Sequence, residues 1–341
     1  MQSLSAAGPA SHTASDAATP DTGAYYADKL DELKDLFGAT TIELQEGSLT
    51  VDGRQYRIEH DVIIISEPAE EEAASSAGEK TIRSFSNEWE SYPDILPEHR
   101  AEFEAYFDLV DRAALDEARC LDLGCGIGRW SYHVYSHTQR LVLVDASRAI
   151  FVARRNLRHA QRAIFIRADL RQLPFREGAF DFLFCLGVLH HLEEDCLDLT
   201  RRLAPYARQL LIYLYYSLDN RPWHFRLTFV GVDGLRRGLS RITHEGSRIA
   251  LARLMTWTLY VPVIALGRVM EIFRLGHLVP LFEGYRSSTN KRLAQDVYDR
   301  FFTPIEQRVS RAEILQLADT FESVRISPQV PFWHFLLSGK Q

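Results

Sequence analysis

Cysteine is scarce: only Cys120, Cys125, Cys185 and Cys196 occur in 341 residues, with no CxxC pair among them. That spacing excludes a zinc ribbon or a disulfide framework, predicts no metal site and suits a reducing, cytoplasmic setting. Basic charge is also short. With 39 Lys and Arg against 46 Asp and Glu the net charge is -7, which argues against nucleic acid as the main partner, because binding a phosphate backbone needs clustered cations. The opening MQSLSAAGPASHTASDAATPDTG lacks the basic start and apolar run of a secretory signal, so residues 1–22 read as a disordered tail. Long hydrophobic runs are missing too. The longest charge-free apolar stretch, Leu254 to Gly267, has 14 residues and contains Pro262, whereas a spanning helix needs about 18–20, so no transmembrane segment is expected.

What remains is the composition of a folded globular chain, 46% hydrophobic and 25% charged. Residues 23–66 read as a small module. A short helix over Tyr25–Phe37 is stopped by Gly38, and the β-branched runs TTIEL, GSLTV, QYRIE and DVIII follow, with Asp52-Gly53 as a hairpin turn. Residues 67–80, acidic and without periodicity, read as a linker. The spacing of Phe103, Tyr106, Phe107, Val110 and Ala114 predicts an amphipathic helix from Pro97 to about Ala118. Five short apolar runs then alternate with segments of helical length: 120–123, 141–145, 163–166, 182–186 and 210–214. Such alternation predicts a mostly parallel sheet with helices on both faces. Ser310 with Glu313 marks a capping box before a helix through Phe321, and two more strands near 324–326 and 332–337 bring the sheet to seven. Residues 217–294 exceed what such a connection needs and read as an inserted helical cap, leaving 81–216 and 295–341 as the main domain.

In LDLGCGIGRW, residues 121–130, a strand ends in Gly124, Gly126 and Gly128 before a helix begins. Glycine there lets the backbone turn sharply and approach a ligand. A dinucleotide fingerprint would place its last glycine where Arg129 stands, which counts against a nicotinamide-dependent oxidoreductase. Asp122, Asp145 and Asp169 set three carboxylates at strand ends, around the crevice where open α/β sheets bind ligands.

These residues, with LPFREGAFDFLFCLGVLHHL at 173–192, resemble a class I S-adenosylmethionine-dependent methyltransferase of the broad small-molecule kind, the methyltransferase type 11-like domain, over about 120–215. The resemblance implies a Rossmann-like seven-stranded sheet and S-adenosyl-L-methionine as cofactor. It implies that the loop from Gly124 through Cys125 and Gly126 to Gly128 packs on the methionine part, that Asp122 orients the amine end, that Asp145 with Ala146 meets the ribose, that Asp169 and Leu170 meet the adenine, and that Leu186 faces the methionine amine. His190 and His191 would stand at the mouth of the transfer site, with His191 the better candidate for a base. Pro205-Tyr206-Ala207 departs from the family's Pro-Gly-Gly turn before strand five. GRQYRIEHDVIII at 53–65 resembles a degenerate Trm112-like zinc-ribbon segment without its cysteine ligands.

Phe85, Trp89 and Tyr92 are spaced four and three apart in a segment similar to the lid of related enzymes, although simple packing onto the sheet is the commoner explanation of such a stripe. The cap carries 12 Lys and Arg against 5 Asp and Glu, together with many aromatics, a pattern that fits an ordinary helical cap, a cover for an apolar pocket, or peripheral membrane contact. The expected activity is methyl transfer to O or N of a small molecule, glycan or lipid-linked acceptor; the alternative is a catalytically idle homologue that binds the cofactor as a scaffold or regulator.

Overall fold

A computed structural model describes residues 24–66, 92–138, 140–221, 244–302 and 305–339, with single positions between 78 and 89 and between 223 and 242. The expected tail lies outside the described residues, and so does the expected linker except for Gly78. Helix α1 (Leu30–Phe37) ends on Gly38 in the left-handed region, and strands β1 (Ile42–Gln45), β2 (Ser48–Val51), β3 (Arg54–Glu59) and β4 (Val62–Ile64) form an antiparallel meander. Asp52 and Gly53 both take positive φ, the geometry of a tight hairpin turn.

The main domain follows: α2 (Glu98–Tyr106), β5 (Cys120–Leu123), α3 (Arg129–Val134), β6 (Leu141–Asp145), α4 (Ala149–Asn156), β7 (Ile164–Arg167), β8 (Phe180–Leu186), α5 (Cys196–Arg202) and β9 (Ala207–Tyr213). After the cap come a short helix at Arg311–Leu315 with the expected Ser310–Glu313 capping box, then β10 (Ser323–Ile326) and β11 (His334–Ser338). The strand order is β1-β2-β3-β4-β7-β6-β5-β8-β9-β11-β10. Its last seven members are the expected sheet, parallel from β7 to β9 and closed by antiparallel β11 and β10.

Alternate residues on each strand feed opposite faces. Leu121, Val142, Ile164, Leu183 and Leu210 pack with α1 and α5 on one side. Cys120, Leu143, Phe165, Phe184 and Leu211 pack with α2, α3 and α4 on the other.

The N-terminal module is not a separate unit: β4 pairs in parallel with β7, so the sheet has eleven strands. The cause is local. All three side chains of β4 are buried, and β7 would otherwise expose an unpaired edge. Tyr26 pins the joint, its hydroxyl donating to the Asp61 carbonyl at 2.7 Å and accepting the Phe165 amide at 3.2 Å. Two expected helices are shorter than their periodicity predicts. The first stops at Tyr106, and Asp111 then caps a separate 3-10 turn over Arg112–Leu115; the second gives way after Leu315 to a 3-10 turn over Gln316–Asp319.

The cap contains α6 (Glu245–Met255), a π turn over Thr256–Tyr260, α7 (Val261–Glu271) and α8 (Asn290–Phe302). Its core runs on to Phe301 and Phe302, so the expected boundary at residue 294 falls inside a helix. The π turn carries the helix past Pro262. Proline lacks an amide hydrogen and crowds the preceding turn, but here the wider turn comes just before Pro262, so residues 246–271 form one helix long and apolar enough, by length and composition, to cross a membrane.

Gly128 starts α3 with φ +76°, and a Cβ there would come within 2.6 Å of Leu157 Cδ1. Gly128→Ala is therefore expected to lower the unfolding free energy by about 1–3 kcal/mol, measured by chemical denaturation.

Candidate active site

The strands of a parallel sheet end together, and here the ends of β5, β6, β7 and β8 open into a cavity of about 690 Å³ that runs on beneath the cap. Gly124, Cys125, Gly126, Asp145, Ala146, Asp169, Leu170, Leu186 and His191 line it; Asp122, Gly128 and His190 do not.

The loop between β5 and α3 turns through three glycines at positive φ. A Cβ on Gly124 would meet Val188 at 2.5 Å, and one on Gly126 would stand 3.3 Å from the indole of Trp89, so bare backbone is what lets these elements close around the cavity. The Gly126 amide donates to Asp145 Oδ2 at 2.8 Å, while the Ser147 amide and hydroxyl both donate to Oδ1. Three of the four lone-pair positions of that carboxylate are thus taken, and among the described residues one on Oδ2 has no partner. Burial raises the Asp145 carboxyl above its ordinary value, against the pull of the Ser147 and Gly126 donors.

Asp169 is engaged differently. Arg171 binds it through its amide, Nε and Nη2, and this outweighs burial to hold the carboxyl below its usual value. The Arg171 side chain is itself 40% exposed.

Asp122 is a correction to the expected constellation. It is 1% exposed beneath the loop, where the Ser131 hydroxyl donates to it at 2.6 Å, and burial pushes it up to about 7. It braces the first turn of α3 and does not meet the ligand space. Gly128 likewise serves packing, by admitting Leu157 and Ala153 against the helix start.

The two histidines separate. His190 is fully buried, stacked on Tyr215 at 4.0 Å, with neither ring nitrogen hydrogen-bonded among the described residues; burial holds it well below its ordinary pKa, in the neutral form. His191 faces the cavity and places Nδ1 2.8 Å from the Ile305 carbonyl oxygen. A carbonyl can only accept, so Nδ1 carries the hydrogen and Nε2 of the neutral ring keeps its lone pair, as a base requires. Phe85 packs on this ring at 5.0 Å. Phe85 and Trp89 line the cavity as a lid segment would; Tyr92 instead lies beside Arg253 and Trp257 of the cap.

Several lining residues escaped the sequence reading. Arg129, noted there only for not being glycine, holds its guanidinium between Trp89 at 5.1 Å and Trp130 at 4.5 Å, where it can meet a ligand carboxylate. The cap helix α8 turns Arg292, Gln295, Asp296, Asp299 and Arg300 toward the cavity, and Arg292 Nε joins Glu102 of α2 at 3.0 Å. Asp296 accepts from the Tyr285 hydroxyl, and burial pushes it up to about 6. The signal was present as polar residues recurring at three and four, but nothing in the sequence says which face of an inserted helix looks inward. Among the described residues no group of three or more His, Cys, Asp or Glu could hold a metal ion.

Residues 120–208 match the methyltransferase domain family. A ubiquinone biosynthesis O-methyltransferase of Hahella chejuensis is 27% identical over 174 residues, 50% of this chain and 72% of that one. A malonyl-[acyl-carrier protein] O-methyltransferase of Legionella pneumophila is 29% identical over 112 residues, covering 32% of this chain and 39% of that one. A magnesium protoporphyrin IX methyltransferase of Synechocystis PCC 6803, solved with S-adenosylmethionine bound, superposes with a TM-score of 0.36 at 19% identity, over 48% of this chain and 88% of that one. The segment around the glycine loop is a class I S-adenosylmethionine-dependent methyltransferase domain, and S-adenosyl-L-methionine is its cofactor.

Asp122 gives the site a pH signature. Its folded-state carboxyl titrates near 7, far above an unfolded aspartate, so between about pH 4 and 7 the unfolded chain ionises first and stability falls as pH rises. Asp122→Asn removes that contribution, and denaturation midpoints at pH 4.5 and 7 are expected to differ less in the variant than in the wild type.

Proposed function

We propose that this chain uses its methyltransferase domain to move a methyl group onto oxygen or nitrogen of a small-molecule, glycan or lipid-linked acceptor held beneath the cap. The observation that carries the reading is one continuous cavity, lined by the glycine loop and Asp145, by the polar face of α8 and by His191. Both curated relatives are named as O-methyltransferases, which favours oxygen.

S-adenosylmethionine supplies, when bound, a methyl group made electrophilic by its sulfonium. The protein's part is to hold and align. Bare backbone at Gly124 and Gly126 makes room, the open lone pair of Asp145 takes a hydroxyl, and Arg129 offers its cation to a carboxylate. Phe85 and Trp89 close the cavity against water. Alignment of this kind contributes on the order of 7–11 kcal/mol to well-oriented bimolecular steps. His191 Nε2 takes the proton that an acceptor hydroxyl or ammonium must lose. The apolar walls from Leu259, Val263 and Leu281 suit the body of an amphipathic acceptor, while Arg292, Asp296 and Arg300 suit a polar part.

Asp145→Ala is expected to weaken S-adenosylmethionine binding by about 1–3 kcal/mol through lost charged hydrogen bonds, read by calorimetry; unchanged affinity would show that the ribose is held elsewhere. His191→Ala is expected to lower kcat by roughly 10²–10⁴-fold with cofactor affinity kept, followed as S-adenosylhomocysteine release with an acceptor identified by mass spectrometry of co-purified ligand. Near-normal turnover would leave that histidine a wall of the cavity and nothing more.

A further inference from the structure

The cap helix presents an exposed apolar surface, most of which the cavity does not use. Of the most apolar part of the 26-residue helix 246–271, only 28% is buried, far less than a core helix of a folded domain commits. Ala252, Met255, Tyr260 and Ile264 pack inward with α8. Leu254, Trp257, Leu266, Val269, Ile272 and Phe273 stand outward, between 54% exposed at Leu266 and 78% at Ile272. Leu254 and Trp257 stand three apart, as do Leu266, Val269 and Ile272, and Phe273 adjoins the last, so the exposed apolar residues gather in a stripe, unlike the scattered single hydrophobics of an ordinary surface.

Charge borders this stripe with one sign. Arg253, Arg268, Arg274 and Arg286 are exposed around it, against Glu271 as the one exposed acid from 253 to 286, although the whole chain carries -7. An apolar face edged by arginines, on an acidic body, complements a lipid surface with negative headgroups.

We infer that this face of the cap docks on an anionic lipid bilayer, with the helix lying in the interface. It lies on the membrane and does not cross it, because its other side belongs to the cap: a Cβ on Gly267 would come within 2.3 Å of Phe282, so the two are in direct contact and hydrocarbon cannot surround the helix. A second copy of the chain is a poorer occupant, since a two-fold contact through this stripe sets the same arginines against each other. Leu259 and Leu266, both exposed, also line the cavity. Docking therefore brings the apolar wall of the cavity against the lipid phase, and an acceptor with a hydrocarbon tail reaches the site without passing through water. That last step rests on the methyl-transfer reading; the docking itself does not.

The test is co-sedimentation of the full chain with phosphatidylglycerol–phosphatidylcholine vesicles and with pure phosphatidylcholine vesicles. Binding to the anionic vesicles is expected, falling about tenfold or more on neutral vesicles and at high salt. The double variant Ile272→Glu, Phe273→Glu, which touches no lining residue, is expected to lose about tenfold or more of that binding, while its S-adenosylmethionine affinity by calorimetry stays that of the wild type and shows that it is folded. Three results would overturn the proposal: wild-type chain left in the supernatant with both vesicle types, equal binding by the double variant, or wild-type chain that alkaline carbonate cannot strip from the vesicles. Failure of the wild type to bind S-adenosylmethionine would instead sink the methyl-transfer reading and leave the vesicle result standing.

Discussion

The hydrogen bond from the Gly126 amide to Asp145 holds the rest of the site in register. It ties the loop after β5 to the end of β6, and it can form only because the loop turns through left-handed glycines that carry no side chain. From that tie the other positions follow. Val188 closes over Gly124 from the end of β8, Trp89 lies along Gly126, and Arg129 is drawn into the first turn of α3 between two indoles. A buried acid beneath the loop, Asp122, braces the same turn through Ser131. The carboxylates at the strand ends thus differ in both environment and role. One is buried in the scaffold, one faces the cavity with a lone pair to spare, and one is already engaged by an arginine.

The cap is joined to this scaffold by charge as well as by apolar contact. Arg292 bridges Glu102 of α2 and Asp296 of its own helix, and Arg300 reaches both Asp296 and the Tyr285 hydroxyl. Such a network in a low-dielectric space is costly unless its members are mutually paired. Because it faces the cavity, any polar group entering there meets charges already fixed in position.

Much of this was legible in the residues. Glycines and aspartates at the ends of apolar runs located the cleft, and alternation of short runs with helical segments gave the seven central strands, because both signals are local and periodic. The misreadings are all tertiary. Asp122 lies on the face of β5 that α3 covers, where Ser131 engages it, and it does not line the cavity that its position in the motif suggested. His190 and His191 are adjacent and chemically alike, yet only one faces the cavity, a distinction set by Tyr215 on one ring and the Ile305 carbonyl on the other. Nor could the sequence show that Pro262 would sit behind a π turn and leave a long helix unbroken, since that accommodation depends on the whole preceding turn widening together.

The joint between β4 and β7 has a reach beyond the sheet edge. The Asp169 amide donates to the hydroxyl oxygen of Ser66, the last residue of the module, at 2.9 Å, and the Ile65 amide donates to the Arg167 carbonyl at the same distance. The backbone of the loop that Asp169 occupies is therefore partly built by a segment 103 positions away in the chain. The amino-terminal ribbon thereby supports one wall of the cavity, since Asp169 lines it, and the position of that wall depends on the ribbon being docked.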